Sequence, residues 1–146
     1  MTSHEMTSIE SPATKRIALV AHDNMKREML EWATEHKGEL KKHTLIATGS
    51  TGKLIADSTG LTLERMRSGP LGGDQQIGAR ISDGGIDVLL FFWDPLEPQP
   101  HDPDIRALLR IAVVWNIPVA CNRASADFIL SSPLLGDIYQ RRVPKY

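Results

Sequence analysis

One acid set among glycines offers the first chemistry. In Ser68-Gly69-Pro70-Leu71-Gly72-Gly73-Asp74-Gln75-Gln76-Ile77-Gly78 the glycines let the backbone turn sharply and let a ligand come close, and Asp74 enters a helix predicted over 74–82. A carboxylate in that place can take a proton from a carbon acid, or it can merely cap the helix. Two other loops tilt the balance toward a ligand. Ala21 is followed by His22-Asp23-Asn24, and Ala47 by Thr48-Gly49-Ser50-Thr51-Gly52, a turn rich in hydroxyls and free amides of the kind that holds an anion. The chain lacks both Gly-x-Gly-x-x-Gly and the Gly-Lys-Ser/Thr ending of a P-loop, so the phosphate such a turn suits belongs to a small molecule. His101 sits in a stiff loop with Pro95, Pro98, Pro100 and Pro103. Taken singly, His22, His101 and Lys26 also suit an ordinary solvated surface, and only their convergence argues for a site.

That convergence depends on the elements in between. Apolar runs predict strands over 16–21, 43–47, 87–93 and 117–121, with a weak strand near Met66 and Arg67 and an edge strand over 139–143. Helical spacing predicts helices over 25–36, capped by Asp23 or Asn24 and ended by Gly38, over 53–58 and over 74–82. A further helix opens at Asp102-Pro103 with Ile105, Leu108, Leu109 and Ala112 as its buried stripe, and the last runs over 125–130 with Ser125 as cap. Strands alternating with helices predict a single-domain α/β fold, doubly wound (Rossmann-like or flavodoxin-like), with a mainly parallel sheet and helices on both faces. Ligands of such folds bind outside the carboxyl ends of the strands, where His22, Thr48, Ser68, Asp74 and His101 all fall.

Composition narrows the partners. The chain has 146 residues and a formal net charge of −1, from 17 basic and 18 acidic residues, so its overall charge calls for neither nucleic acid nor an anionic membrane. Cys121 is the only cysteine, which excludes an internal disulfide framework and fits a reducing compartment, with the cytoplasm as the expected location. No run approaches the roughly 20 apolar residues of a membrane span. Residues 1–14, dominated by Thr, Ser, Glu and Pro, are expected to be a disordered lead, with 15–146 as the functional domain.

Five motifs in order carry a family resemblance: Ala-His-Asp at 21–23 with Lys26, Ala-Thr-Gly-Ser-Thr-Gly at 47–52, Ser-Gly-Pro-Leu-Gly-Gly-Asp-Gln-Gln at 68–76, Phe-Phe-Trp-Asp-Pro at 91–95 and Pro-His-Asp-Pro-Asp at 100–104. From about Arg16 to Pro133 the chain resembles the methylglyoxal synthases. The resemblance implies conversion of dihydroxyacetone phosphate to methylglyoxal and inorganic phosphate without metal or cofactor, by a homohexamer that phosphate inhibits. It gives Asp74 the catalytic acid/base role, with His101 and Asp104 beside it and Asp94 in support. His22, Lys26, Thr48, Gly49, Ser50, Thr51, Ser68 and Gly69 fall to substrate binding. Family members carry a longer basic tail past the Pro-x-Tyr found here at Pro144-Lys145-Tyr146, which bears on regulation between subunits more than on chemistry.

The implied reaction makes three demands: a proton leaves a carbon beside a ketone, negative charge on oxygen is held, and phosphate departs. Asp74 suits the first and a neutral His101 the second. The third depends on geometry, since an enediolate expels phosphate only when the carbon–oxygen bond stands perpendicular to the π-system. Lys26 and the Thr48 to Thr51 turn would set that angle. The rival expectation is a regulatory phosphate-binding module without catalysis, similar to the allosteric domain of carbamoyl phosphate synthetase. Asp74 speaks against it, because a carboxylate beside an anion repels it unless the acid has a task.

Overall fold

Along Arg16–Ala21, Ile17, Leu19 and Ala21 join one buried cluster and Ala18 and Val20 another, so this strand is covered on both faces. Such a strand belongs inside a parallel sheet with helices above and below. The computed structural model describes residues 4–97 and 102–145 and has that architecture.

In chain order the elements are β1 (Met6–Ser11), β2 (Arg16–Ala21), α1 (Lys26–Glu35), α2 (Lys37–Leu40), β3 (Thr44–Ala47), α3 (Gly49–Thr59), β4 (Glu64–Arg65), α4 (Gly73–Ser82), β5 (Val88–Phe92), α5 (Asp102–Val114), β6 (Val119–Ala120), α6 (Arg123–Ser131) and β7 (Tyr139–Pro144). Short 3₁₀ turns cover Asp23–Met25, Gly69–Leu71 and Pro133–Gly136. The five-stranded sheet runs β4-β3-β2-β5-β6, every neighbouring pair parallel, so the winding reverses between β2 and β5. Its carboxyl edge at that reversal is where a doubly wound fold opens a crevice.

The two faces have separate cores. On one, Met29, Trp32 and Ala33 of α1, Ile55 of α3 and Ala126 and Leu130 of α6 cover Leu19, Leu45, Leu90 and Phe92. On the other, Ile77 and Ile81 of α4 and Ile105, Leu108 and Ala112 of α5 cover Val20, Ile46, Leu89 and Phe91. Polar bonds tie the first face together: Trp32 Nε1 donates to Asp127 Oδ1 at 3.0 Å, and Arg123 reaches Glu28 and Glu35 across from α6 to α1.

Several expectations give way to the observed structure. Where a disordered lead is expected, Met6–Ser11 pairs antiparallel with Tyr139–Pro144 in a ribbon of their own, from Met6 opposite Pro144 to Ser11 opposite Tyr139. The predicted edge strand near the end of the chain is therefore an edge of this ribbon and not of the main sheet. Helix α3 starts at Gly49 rather than Lys53, because a Cβ on Gly49 would lie 3.0 Å from Met66 O and Ser68 N, and one on Gly52 would lie 2.7 Å from Arg65 Cγ. These glycines permit close helix packing where the sequence suggests only a loop. Gly38 lies inside the short helix α2 instead of ending α1, and the weak strand sits at Glu64–Arg65. Helix α6 is capped by Asn122, whose side chain accepts from Ser125 N at 3.0 Å, so Ser125 is the third helical residue and not the cap.

Candidate active site

Three chain turns meet at the carboxyl ends of β2 and β3. The first follows β2. His22 N–H still donates to Phe92 O at 3.1 Å, holding the residue against β5. Its Nδ1 accepts the backbone N–H of Asp94 at 3.0 Å, so in the neutral imidazole the proton resides on Nε2. The ring stands edge-on to Phe91, centroids 5.2 Å apart, which fixes its plane. Asp94 is itself anchored: Oδ2 accepts from Asn24 Nδ2 at 2.9 Å and Oδ1 from Leu96 N at 3.0 Å. The Asn24 bond, followed by the Leu96 amide, holds the Asp94 carboxyl below its ordinary value. Lys26, in the first turn of α1, is ion-paired with the exposed Asp23 three residues back.

The second turn is the start of α3. Thr48 precedes it in extended geometry and no side chain caps the helix. Gly49 N–H donates to Arg67 O at 3.1 Å, and the Ser50 and Thr51 amides fall in the first turn, which has no intrahelical acceptor for them. Thr51 is buried and its hydroxyl has no hydrogen-bond partner among the described residues.

The third turn presents Asp74. Gly72 takes φ +103° to reverse the chain, and a Cβ on Gly73 would stand 2.0 Å from Arg67 O, so the start of α4 lies against the segment that follows β4 more closely than any side chain allows. Asp74 thereby falls in the first turn of α4, 3% exposed, with Oδ1 only 3.3 Å from where a Cβ of Gly69 would be. It is not the cap, which is Gly72.

His22, Asp23, Lys26, Thr48, Ser50, Gly69 and Asp74 line one cleft of about 70 Å³, with Pro70 and the end of β2 as its apolar wall. The cleft thus combines a buried acid, a cation, a neutral imidazole and uncapped helix amides, which suffices to hold a small phosphate ester and to move a proton. The expected Gly49, Thr51 and Ser68 are not among its lining residues. Asp104, in the first turn of α5, lines an adjoining groove with Asp74, Gln75 and Gly78 and not the cleft itself. His101 lies outside the described residues. Among the described residues, no group of three or more His, Cys, Asp or Glu side chains could hold a metal ion.

The MGS-like domain family model matches residues 28–121. The methylglyoxal synthase of Saccharophagus degradans is 64% identical over 135 residues, covering 92% of this chain and 88% of that protein. The chain belongs to the methylglyoxal synthase family. Another member, from Coxiella burnetii, is 60% identical over 132 residues, covering 90% of this chain and 92% of its own. In structure the chain is similar to methylglyoxal synthase from Elizabethkingia anophelis, with a TM-score of 0.92 and 53% identity, covering 96% of this chain and 92% of the other. The parallel sheet expected for the family is therefore present in this member with its loops at the carboxyl edge.

One contributor escaped the sequence. Asn24, expected as a helix cap, instead reaches Asp94, 70 residues on, and no spacing rule links them before β2 and β5 are known to be neighbours. Asp23 was legible, since an Asp three residues before a Lys on a helix start is a pairing signal.

Proposed function

We propose that the protein is a methylglyoxal synthase, a carbon–oxygen lyase acting on dihydroxyacetone phosphate. Asp74 removes a proton from the hydroxymethyl carbon, and the electron pair collects on the carbonyl oxygen as an enediolate. As the enediolate collapses, the terminal hydroxyl passes its proton to the neighbouring oxygen and becomes the aldehyde carbonyl, and the displaced electron pair expels phosphate from the other carbon. The remaining enol takes up a proton at its methylene and becomes methylglyoxal. The observation that carries this is the buried Asp74 carboxylate in one small cleft with Lys26 and the uncapped start of α3. A base without a phosphate grip, or a grip without a base, would support a different reading.

In this scheme the phosphate dianion lies at the Ser50 and Thr51 amides and takes Lys26 from Asp23, whose side chain is 92% exposed. His22 donates Nε2–H, its tautomer held by Asp94 N. The Pro-His-Asp-Pro-Asp motif supports His101 as donor to the enediolate oxygen, with Asp104 assisting Asp74 from the adjoining groove. Inorganic phosphate would occupy the same grip and inhibit. The exposed apolar side chains Phe128, Val113 and Leu71 are suited to contacts in a homohexamer. A single cysteine, and no helix among the described residues long and apolar enough to cross a membrane, support a cytoplasmic place. Residues from the β1 strand onward act as one domain.

The test is incubation with dihydroxyacetone phosphate, following methylglyoxal and phosphate together, beside an Asp74→Asn variant. Equal release of both products, reduced roughly 10²- to 10⁴-fold in the variant, is the expected result. Turnover unchanged in Asp74→Asn would remove the proposed base, and no product from either protein would remove the enzyme.

A further inference from the structure

At the opposite edge of the sheet lies a second and larger cavity, about 280 Å³, just below the roughly 300 to 1,000 Å³ usual for small-molecule sites. Val88, Ile117, Pro118 and Leu135 give it an apolar lining, and Leu134 and Tyr139 stand among its lining residues. Two cations are built into this wall. Arg141 is 1% exposed and Lys15 4% exposed, burial that such side chains reach only when paired.

Their partners do not balance their charge. Arg141 Nε donates to Ser11 Oγ at 2.7 Å and Nη1 donates to Trp115 O, while Nη2 makes no bond among the described residues. Lys15 Nζ donates to the carbonyls of Pro12 and Asp137. All of these acceptors are neutral. Asp87, a buried carboxylate that is itself among the lining residues, is engaged by Arg16 through its backbone N–H, Nε and Nη2 at 2.8, 2.9 and 3.0 Å. The Asp137 carboxylate attracts Lys15 from an exposed position. Lys15, Arg16 and Arg141 therefore face a single buried carboxylate. Burial lowers the pKa of both Lys15 and Arg141 against the pull of Asp87, the direction expected of cations lacking a full counter-charge.

We propose that this cavity is a second ligand site, separate from the catalytic cleft, that takes a small monocarboxylate with a short apolar body. The carboxylate accepts from Arg141 Nη2 under the positive potential of Lys15, and the body lies against Ile117, Pro118 and Leu135. An anion there supplies the counter-charge, and an apolar body rather than a phosphate suits the rest of the lining.

The experiment titrates the intact protein with benzoate, its neutral isostere benzamide and inorganic phosphate, by calorimetry and thermal unfolding. Benzoate is expected to bind saturably and raise Tm by roughly 5 °C at high occupancy, with benzamide at least tenfold weaker. Saturating phosphate should leave benzoate affinity within about twofold, since the two occupy different sites. Arg141→Met, which keeps the volume and removes the charge, should weaken benzoate tenfold or more. Leu134→Trp, a change at a half-exposed wall residue that fills the cavity, should do the same if Arg141→Met does not fold. Equal binding of benzamide, competition by phosphate, undiminished binding in the variants, or no binding up to about 10 mM benzoate would each overturn the proposal.

Discussion

At the amino end of β5, Asp87 accepts three bonds from Arg16, while past the carboxyl end of the same strand Asp94 accepts from Asn24 and Leu96 and donates its own backbone N–H to His22. The two carboxylates are almost equally hidden, 1% and 5% exposed. What separates them is the next bond along. Arg16 is a partner that closes the pair, whereas His22 lines a cleft and carries the order outward. Burial of an acid therefore marks a catalytic site only where the group it organises faces the catalytic cleft.

Substitutions that take one end of β5 apart and leave the other intact separate the two carboxylates most clearly. Asp74→Asn acts at the carboxyl edge alone: product formation is expected to fall roughly 10²- to 10⁴-fold while the urea midpoint stays near that of the parent. Asp87→Ala should do the reverse, costing about 2 to 3 kcal/mol in urea unfolding, less than the 3 to 5 for a fully buried pair because Arg16 is 35% exposed and rehydrates. Its turnover per folded molecule should be unchanged. A large loss of turnover in Asp87→Ala would erase the distinction between the two ends.

A smaller effect is expected from Asn24→Ala, which touches no substrate and acts through Asp94. Roughly a tenfold loss in kcat/KM with little change in Tm is expected, and Asn24→Asp should fail to restore it because a second carboxylate would repel Asp94. The smallest effect lies again at the amino edge. His43 Nδ1 accepts Lys15 N–H at 2.9 Å, and burial, only partly opposed by Glu39, lowers the pKa of His43 from its ordinary 6.5. The unfolded chain then binds a proton that the folded chain refuses, so stability is full above that value and declines as pH falls below it. The decline ends once pH passes the lower folded pKa. His43→Asn should flatten that slope in unfolding measured from pH 7.5 to 5.5, with turnover as the unaffected control.

Much of the core was legible because its signals are local. Ile17 to Ala21 and Val88 to Phe92 are unbroken apolar runs, and the Ile105, Leu108, Ala112 stripe has helical spacing, so each predicts its own burial. The β1 strand has no such signal: Met6–Ser11 is mostly exposed and holds its place by pairing with β7, at the far end of the chain. The cleft divides in the same manner. His22, Lys26, Thr48, Ser50, Gly69 and Asp74 could be picked from motifs and strand ends and do line it. Asn24 and the tautomer of His22 depend on which strand lies beside β2, a fact of topology that no window of sequence contains.

Gly73 has a consequence for the freedom of the chain to drift. A Cβ there would overlap Arg67 O at 2.0 Å, whereas one on Gly38 meets nothing within 4 Å. In a random library sorted only for folded, protease-resistant molecules, before any selection for activity, position 38 is expected to accept most residues and position 73 to return as glycine. The turn that delivers Asp74 is thus held in sequence space by packing as well as by chemistry, and the lineage would keep its means of placing a base even while the base itself went unused.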